Sequence, residues 1–204
     1  MIGLAADVLP FCNPFLDGCV SISATGRKPP GSFLFRAIML PFSLVLVFFW
    51  YYAVLWLRAL DAELRRSTLA SVLISGLIGA LAVVIYVTFL GTREPIYEFM
   101  RRIGIYFGFV GTGFGQLFLS IALLRIAKLQ PELSLGRIAR TLLGLSIALF
   151  GLGVLNVVMK SILEDPDAME NRLEWLAALG LQVHFVITYF VWRRTGFKAS
   201  VRVG

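Results

Sequence analysis

The chain has 204 residues, of which 58% are hydrophobic and only 15% charged, with a formal net charge of +7 and a mean hydropathy of +0.84. A soluble domain carries about a quarter charged residues. The deficit excludes a disordered chain and argues against a water-soluble globule.

The basic residues sit in short loops beside long apolar runs, as membrane orientation and anionic headgroups require. No nucleic-acid-binding motif accompanies them, so the reading assigns no nucleic-acid partner.

Residues 1–36 form a loop segment without a basic n-region or an apolar h-region long enough for a cleavable signal. Five runs then meet the length needed to cross a hydrocarbon core of about 30 Å: 37–57, 67–92, 103–124, 141–159 and 175–192. None alternates as a barrel strand does, and backbone groups in lipid must be satisfied internally, so all five are read as helices. Pro41 falls near the start of the first, where its missing N–H matters least. Ser67 and Thr68 are placed to cap the second, and Asp165-Pro166-Asp167 to open the fifth. Trp50, Tyr51, Tyr52, Trp56, Tyr86, Tyr189 and Trp192 are read as an interfacial aromatic belt. Residues 193–204 form a basic tail. The expected fold is an all-α polytopic integral membrane protein of five transmembrane helices, 37–192, behind an ordered outer loop.

Five spans put the termini on opposite sides. One side receives Arg58, Arg65, Arg66, Arg125, Lys128, Arg137, Arg140, Arg193, Arg194, Lys198 and Arg202. The other receives Arg27, Lys28, Arg36, Arg93, Arg101, Arg102, Lys160 and Arg172. The excess on the first side assigns the C-terminus to the cytoplasm and the N-terminus to the non-cytoplasmic side.

The segment 10–36 is rich in proline, glycine and small polar residues, which predicts an ordered turn-rich loop. Its run Asn13-Pro14-Phe15-Leu16, then Ile22-Ser23-x-Thr25-Gly26-x-x-Pro29-Pro30 and Phe35, resembles the first luminal loop of the DRAM family. These are the damage-regulated autophagy modulators, grouped with membrane proteins of GPI-anchor remodelling. Glu174-Trp175 matches the Glu-Trp with which that family's last helix often opens. The family's usual arrangement has six helices, with the loop after the first; here only nine residues precede Pro10. The resemblance implies a role in lipid remodelling, membrane trafficking or autophagy.

Five further features carry chemistry. Cys12 and Cys19 are close enough to bond in an oxidising compartment, the alternative being two free thiols. Arg27, Lys28, Arg36, Arg101 and Arg102, with Lys160, are candidates for a lipid headgroup, the alternative being snorkelling at span ends. His184 stands mid-span as a functional candidate or a neutral side chain hydrogen-bonded to Asn156, Gln116 or Ser146. Gly104, Gly108, Gly111 and Gly115 share a face expected to pack a helix tightly, either within the chain or from a membrane-protein partner. Gly76, Gly79, Gly144 and Gly151 are expected to serve similarly. Glu174 is the one carboxylate placed for chemistry, or else for helix-dipole stabilisation and an ion pair with Arg27 or Lys28.

No nucleophile context and no metal-ligand spacing is present, so the reading assigns no catalytic set, cofactor or metal. The leading expectation is a non-enzymatic DRAM-like protein that binds or organises membrane lipids. The alternatives are an accessory subunit of a membrane complex and a lipid-modifying enzyme acting through Glu174 or His184.

Overall fold

The computed structural model describes residues 10–92 and 94–198. Arg93 and Arg202 of the charge count, residues 1–9 of the loop segment and 199–204 of the tail lie outside them. All regular secondary structure in the described residues is helical. A single turn, α1 (Ile22–Thr25), precedes five long helices: α2 (Gly31–Leu60), α3 (Arg66–Thr88), α4 (Pro95–Leu129), α5 (Gly136–Ile162) and α6 (Asp167–Arg194). Each of the five is long and apolar enough to cross a membrane. The chain is an all-α, multi-pass integral membrane protein.

Each helix begins ahead of the apolar run that predicts it, because a helix continues past the lipid boundary wherever its backbone stays satisfied. At its other end α3 stops at Thr88, short of the expected 92. Helix α2 begins at Gly31, so residues 31–36 are helical and Pro41 lies well inside the helix. Helix α3 begins at Arg66 with Arg65 as its cap residue and no side-chain capping bond. Ser67 and Thr68 therefore stand in its first turn instead of capping it. Helix α6 begins at Asp167, as the sequence suggests, and Asp165 Oδ1 accepts from the Asp167 N–H at 3.4 Å.

Helix α4 is the most buried span, and α3 packs along it most intimately. The glycine face is the cause. A Cβ on Gly111 would lie 2.6 Å from the Gly79 nitrogen; one on Gly104 would lie 2.4 Å from the Tyr86 nitrogen. One on Gly115 would lie 2.8 Å from the Trp50 ring, and one on Gly76 2.2 Å from it. Without lipid-excluding hydrophobic force between helices, such close backbone approach supplies the dispersion contact that holds them. The face expected for a packing helix is thus filled by α3 of the same chain. Gly108 is looser, its nearest neighbour being Val83 at 3.7 Å. Gly144 and Gly151 do not pack as expected: nothing lies within 4 Å of the Cβ either would carry.

Large aromatics close the bundle between α2 and α6. Phe49 stacks on Trp192 at 5.4 Å and meets Phe185 edge-on at 4.8 Å. Trp56 Nε1 donates to Thr195 Oγ1 at 2.9 Å. Trp50 and Trp56 are wholly buried and Tyr86 nearly so. Of the expected belt, Tyr51 and Tyr189 are exposed, whereas these three are core, because helical periodicity turns them inward.

Candidate functional site

The connections fall at two ends. The loop, the start of α4 and the α5–α6 turn share one, here the loop end. The α2–α3 and α4–α5 turns and the close of α6 share the other, the tail end. At the tail end Gln130 Nε2 donates to the Leu60 carbonyl at 2.6 Å, and Asp61 pairs with Arg125 at 3.6 Å. A shallow hollow of about 400 Å³ there is lined by Ile121, Leu124, Arg125, Lys128 and Leu129 of α4 alone, and touches nothing at the loop end.

The loop is built from local bonds. Asn13 Oδ1 accepts from Phe15 N–H at 3.0 Å, and the Asn13 N–H donates to Asp17 at 2.8 Å, closing an Asx-type turn. Cys12 and Cys19 are joined by a disulfide. Ser21 caps α1 by accepting from Ala24 N–H at 3.1 Å. The Thr25 hydroxyl donates to the Ile22 carbonyl at 2.6 Å. The Pro29–Pro30 peptide is cis.

The loop then seats on α6. Gly18 has a φ of 65°, and a Cβ there would fall 1.9 Å from the Ala168 carbonyl oxygen. Asn171 Nδ2 donates to the Gly18 carbonyl at 2.8 Å, and Trp175 Nε1 to the Val20 carbonyl at 2.9 Å. Phe15 lies on Trp175, their ring centroids 5.5 Å apart. The Glu174 carboxyl faces the α1 turn, near the backbone N–H groups of Ile22 and Ser23. An ion pair from Glu174 to Arg27 or Lys28 is not among those of the described residues. The carboxylate faces the orphan amides of a helical turn instead, groups that only an acceptor can satisfy. The two sequence motifs, 150 residues apart, meet as one unit.

The basic candidates divide. Arg36 Nη2 donates to the Leu90 carbonyl at 2.6 Å and completes the end of α3. Arg27 Nη2 donates to Ser23 Oγ at 2.9 Å, and Arg27's carbonyl presses on Gly91. Arg102 pairs with Glu98 at 2.8 Å and Arg101 with the same oxygen at 3.4 Å. Lys28 is exposed, and Lys160 pairs with Glu170 at 2.7 Å.

His184 is wholly buried at mid-bundle. Its Nε2 lies 3.0 Å from Ser120 Oγ. The Ser120 hydroxyl also lies 2.7 Å from the Gln116 carbonyl; with its proton there, it accepts from the ring's Nε2–H. Thr188 lies 3.4 Å from Nδ1. The partner is thus Ser120, not Asn156, Gln116 or Ser146. Ser146 is reached only through Ser120 at 3.4 Å, and Gln116 donates to the Leu181 carbonyl at 3.0 Å. Among the described residues no three His, Cys, Asp or Glu side chains gather as a metal-holding set.

Sequence reasoning passes over Asn171 and Ser120, and gives Tyr86 only to the aromatic belt. Their signal is faint: a lone tyrosine at a span end reads as belt, and small hydroxyls in a span read as filler.

The described residues form five helices of membrane-spanning length with a disulfide-closed loop folded on α6. The chain matches no protein-family model, no curated protein and no solved structure.

Proposed function

We propose that the chain is a non-enzymatic, DRAM-like membrane protein that binds or organises lipid, with a role in lipid remodelling or membrane trafficking. One observation carries this reading. The loop that carries the motif and Glu174-Trp175, on which the resemblance rests, meet: Phe15 lies against the Trp175 ring, whose Nε1 donates to the Val20 carbonyl. Beside them Arg27, Lys28, Arg36, Arg101 and Arg102 stand at one end of the spans. Guanidinium groups at that depth suit phosphate oxygens. The disulfide supports a loop end that faces an oxidising compartment, with the C-terminus in the cytoplasm.

Native mass spectrometry of protein released gently from its membrane tests this. We expect a phospholipid at fixed stoichiometry, lost when Arg27→Ala is combined with Lys28→Ala. Retention of no lipid, or of lipid indifferent to that change, overturns the reading.

A second reading, an accessory subunit of a membrane complex, is favoured by α5. It is the least buried span, and nothing among the described residues packs within 4 Å of a Cβ at Gly144, Gly151 or Gly153. A protein partner at fixed stoichiometry in the same spectra would support it.

A further inference from the structure

We propose that the tail end of α4 holds an anionic phospholipid, with its phosphate on Arg125 and Lys128 and an acyl chain along the outer face of the helix. The proposal goes beyond the loop-end reading: it concerns the opposite end of the spans and shares no residue with it.

The site is the hollow of about 400 Å³ on α4, lined by Ile121, Leu124, Arg125, Lys128 and Leu129. Its walls are apolar except for the two cations, which stand three residues apart and so face the same way on the helix. The apolar run of α4 ends at Leu124, so Arg125 is the first charge past the hydrocarbon edge. Toward mid-span, Ile121, Phe118 and Phe114 continue the same face at helical spacing. Phe114 and Ile121 are exposed, and Phe118 stacks on Phe114 with ring centroids 5.9 Å apart. One stripe therefore runs from apolar at mid-span to cationic at the helix end. A lipid has the same order, from its chains to its phosphate.

The two cations complement each other. Arg125 Nε lies 3.6 Å from Asp61 Oδ2, on the turn between α2 and α3, and the Asp61 side chain is only 10% exposed. That contact anchors the guanidinium through Nε and leaves the Nη donors outside the pair. Lys128 is exposed and enters none of the ion pairs of the described residues. An anchored fork beside an unpaired ammonium suits phosphate oxygens.

Charge decides the headgroup class. No carboxylate lines the hollow. Among the described residues, ten exposed arginines and lysines stand at the tail end against three carboxylates, Asp61, Glu63 and Glu132. A choline or ethanolamine headgroup would bring its own ammonium into that field. A headgroup of net negative charge meets only attraction there. Inorganic phosphate would satisfy the cations but leave Ile121, Leu124 and Leu129 uncovered, whereas a lipid covers both.

The test is photocrosslinking in phosphatidylcholine vesicles that contain a small share of phosphatidylglycerol with a diazirine at the head of one acyl chain. Peptide mass mapping locates the adducts. We expect them to concentrate on residues 121–129, and unlabelled phosphatidylglycerol to displace them about tenfold better than phosphatidylcholine. Arg125→Gln with Lys128→Gln should lower this labelling about tenfold. Lys128→Gln alone disturbs no ion pair and should lower it severalfold, which keeps the test valid if the double variant is unstable. Arg137→Gln with Arg140→Gln removes the same charge from the same end without touching the hollow, and should leave the labelling unchanged. Adducts spread evenly over all five helices, or equal displacement by the two lipids, overturn the proposal. So does labelling unchanged by Lys128→Gln, or lost equally in the Arg137 and Arg140 variant. Arg27→Ala with Lys28→Ala should leave the adducts on 121–129 in place. In native mass spectra each end then holds its own lipid, and each pair of substitutions removes only its own, so either reading can fail alone.

Discussion

His184 Nε2 and Ser120 Oγ face each other across 3.0 Å in the middle of the bundle, joining α6 to α4. Interhelical hydrogen bonds in membranes contribute on average about 0.6 kcal/mol and up to about 1.7. His184→Ala and Ser120→Ala should each destabilise the bundle, and a double-mutant cycle should give a coupling in that range. Thermal or denaturant unfolding in detergent reads it. A coupling of zero would mean that the two side chains do not act as a pair.

The glycines of α4 and α5 should respond in opposite ways to one added methyl. Gly111→Ala places it 2.6 Å from the Gly79 nitrogen, where only backbone can yield. Overpacking of this kind costs about 1–3 kcal/mol. Gly144→Ala meets nothing within 4 Å and should be neutral or up to about 1 kcal/mol stabilising, as alanine favours the helix. Melting temperatures of the two variants side by side check this.

Gly18 should tolerate no side chain. Its φ of 65° disfavours other residues, and a Cβ would collide with the Ala168 carbonyl. Gly18→Ala should lift the loop from α6 and expose Trp175, seen as stronger quenching of its emission by a water-soluble quencher. Asn171→Ala, which loses one bond to Gly18, should do the same more weakly.

The two cysteines should resist alkylation in the native membrane protein and react after reduction, a mass shift that is simple to read. Cys12→Ser should leave the loop seated through Asn171 and Trp175 but raise its rate of proteolysis, since a crosslink limits the states an opened loop can explore.

The class of the protein was legible in its sequence because lipid imposes a one-dimensional rule. A run of about 20 apolar residues must span, and must be helical. The five spans and the tight glycine face of α4 followed from composition and spacing alone. Boundaries did not, since Gly31 and Arg66 begin helices ahead of the apolar runs for reasons of backbone continuity.

What only the tertiary structure decided is which distant residues meet. The sequence marks the loop and Trp175 separately, but nothing in their spacing says that the indole donates to the Val20 carbonyl. It marks His184 but not Ser120, and reads Tyr86 as a surface belt residue although it is buried against Phe35. It also treats all the glycines alike, whereas Gly111 is pressed against α3 and Gly144 faces open space. Hydropathy fixes how deep a residue sits in the membrane. Its neighbours around the bundle depend on helix rotation and packing order, which the contacts between helices settle only once all five are assembled.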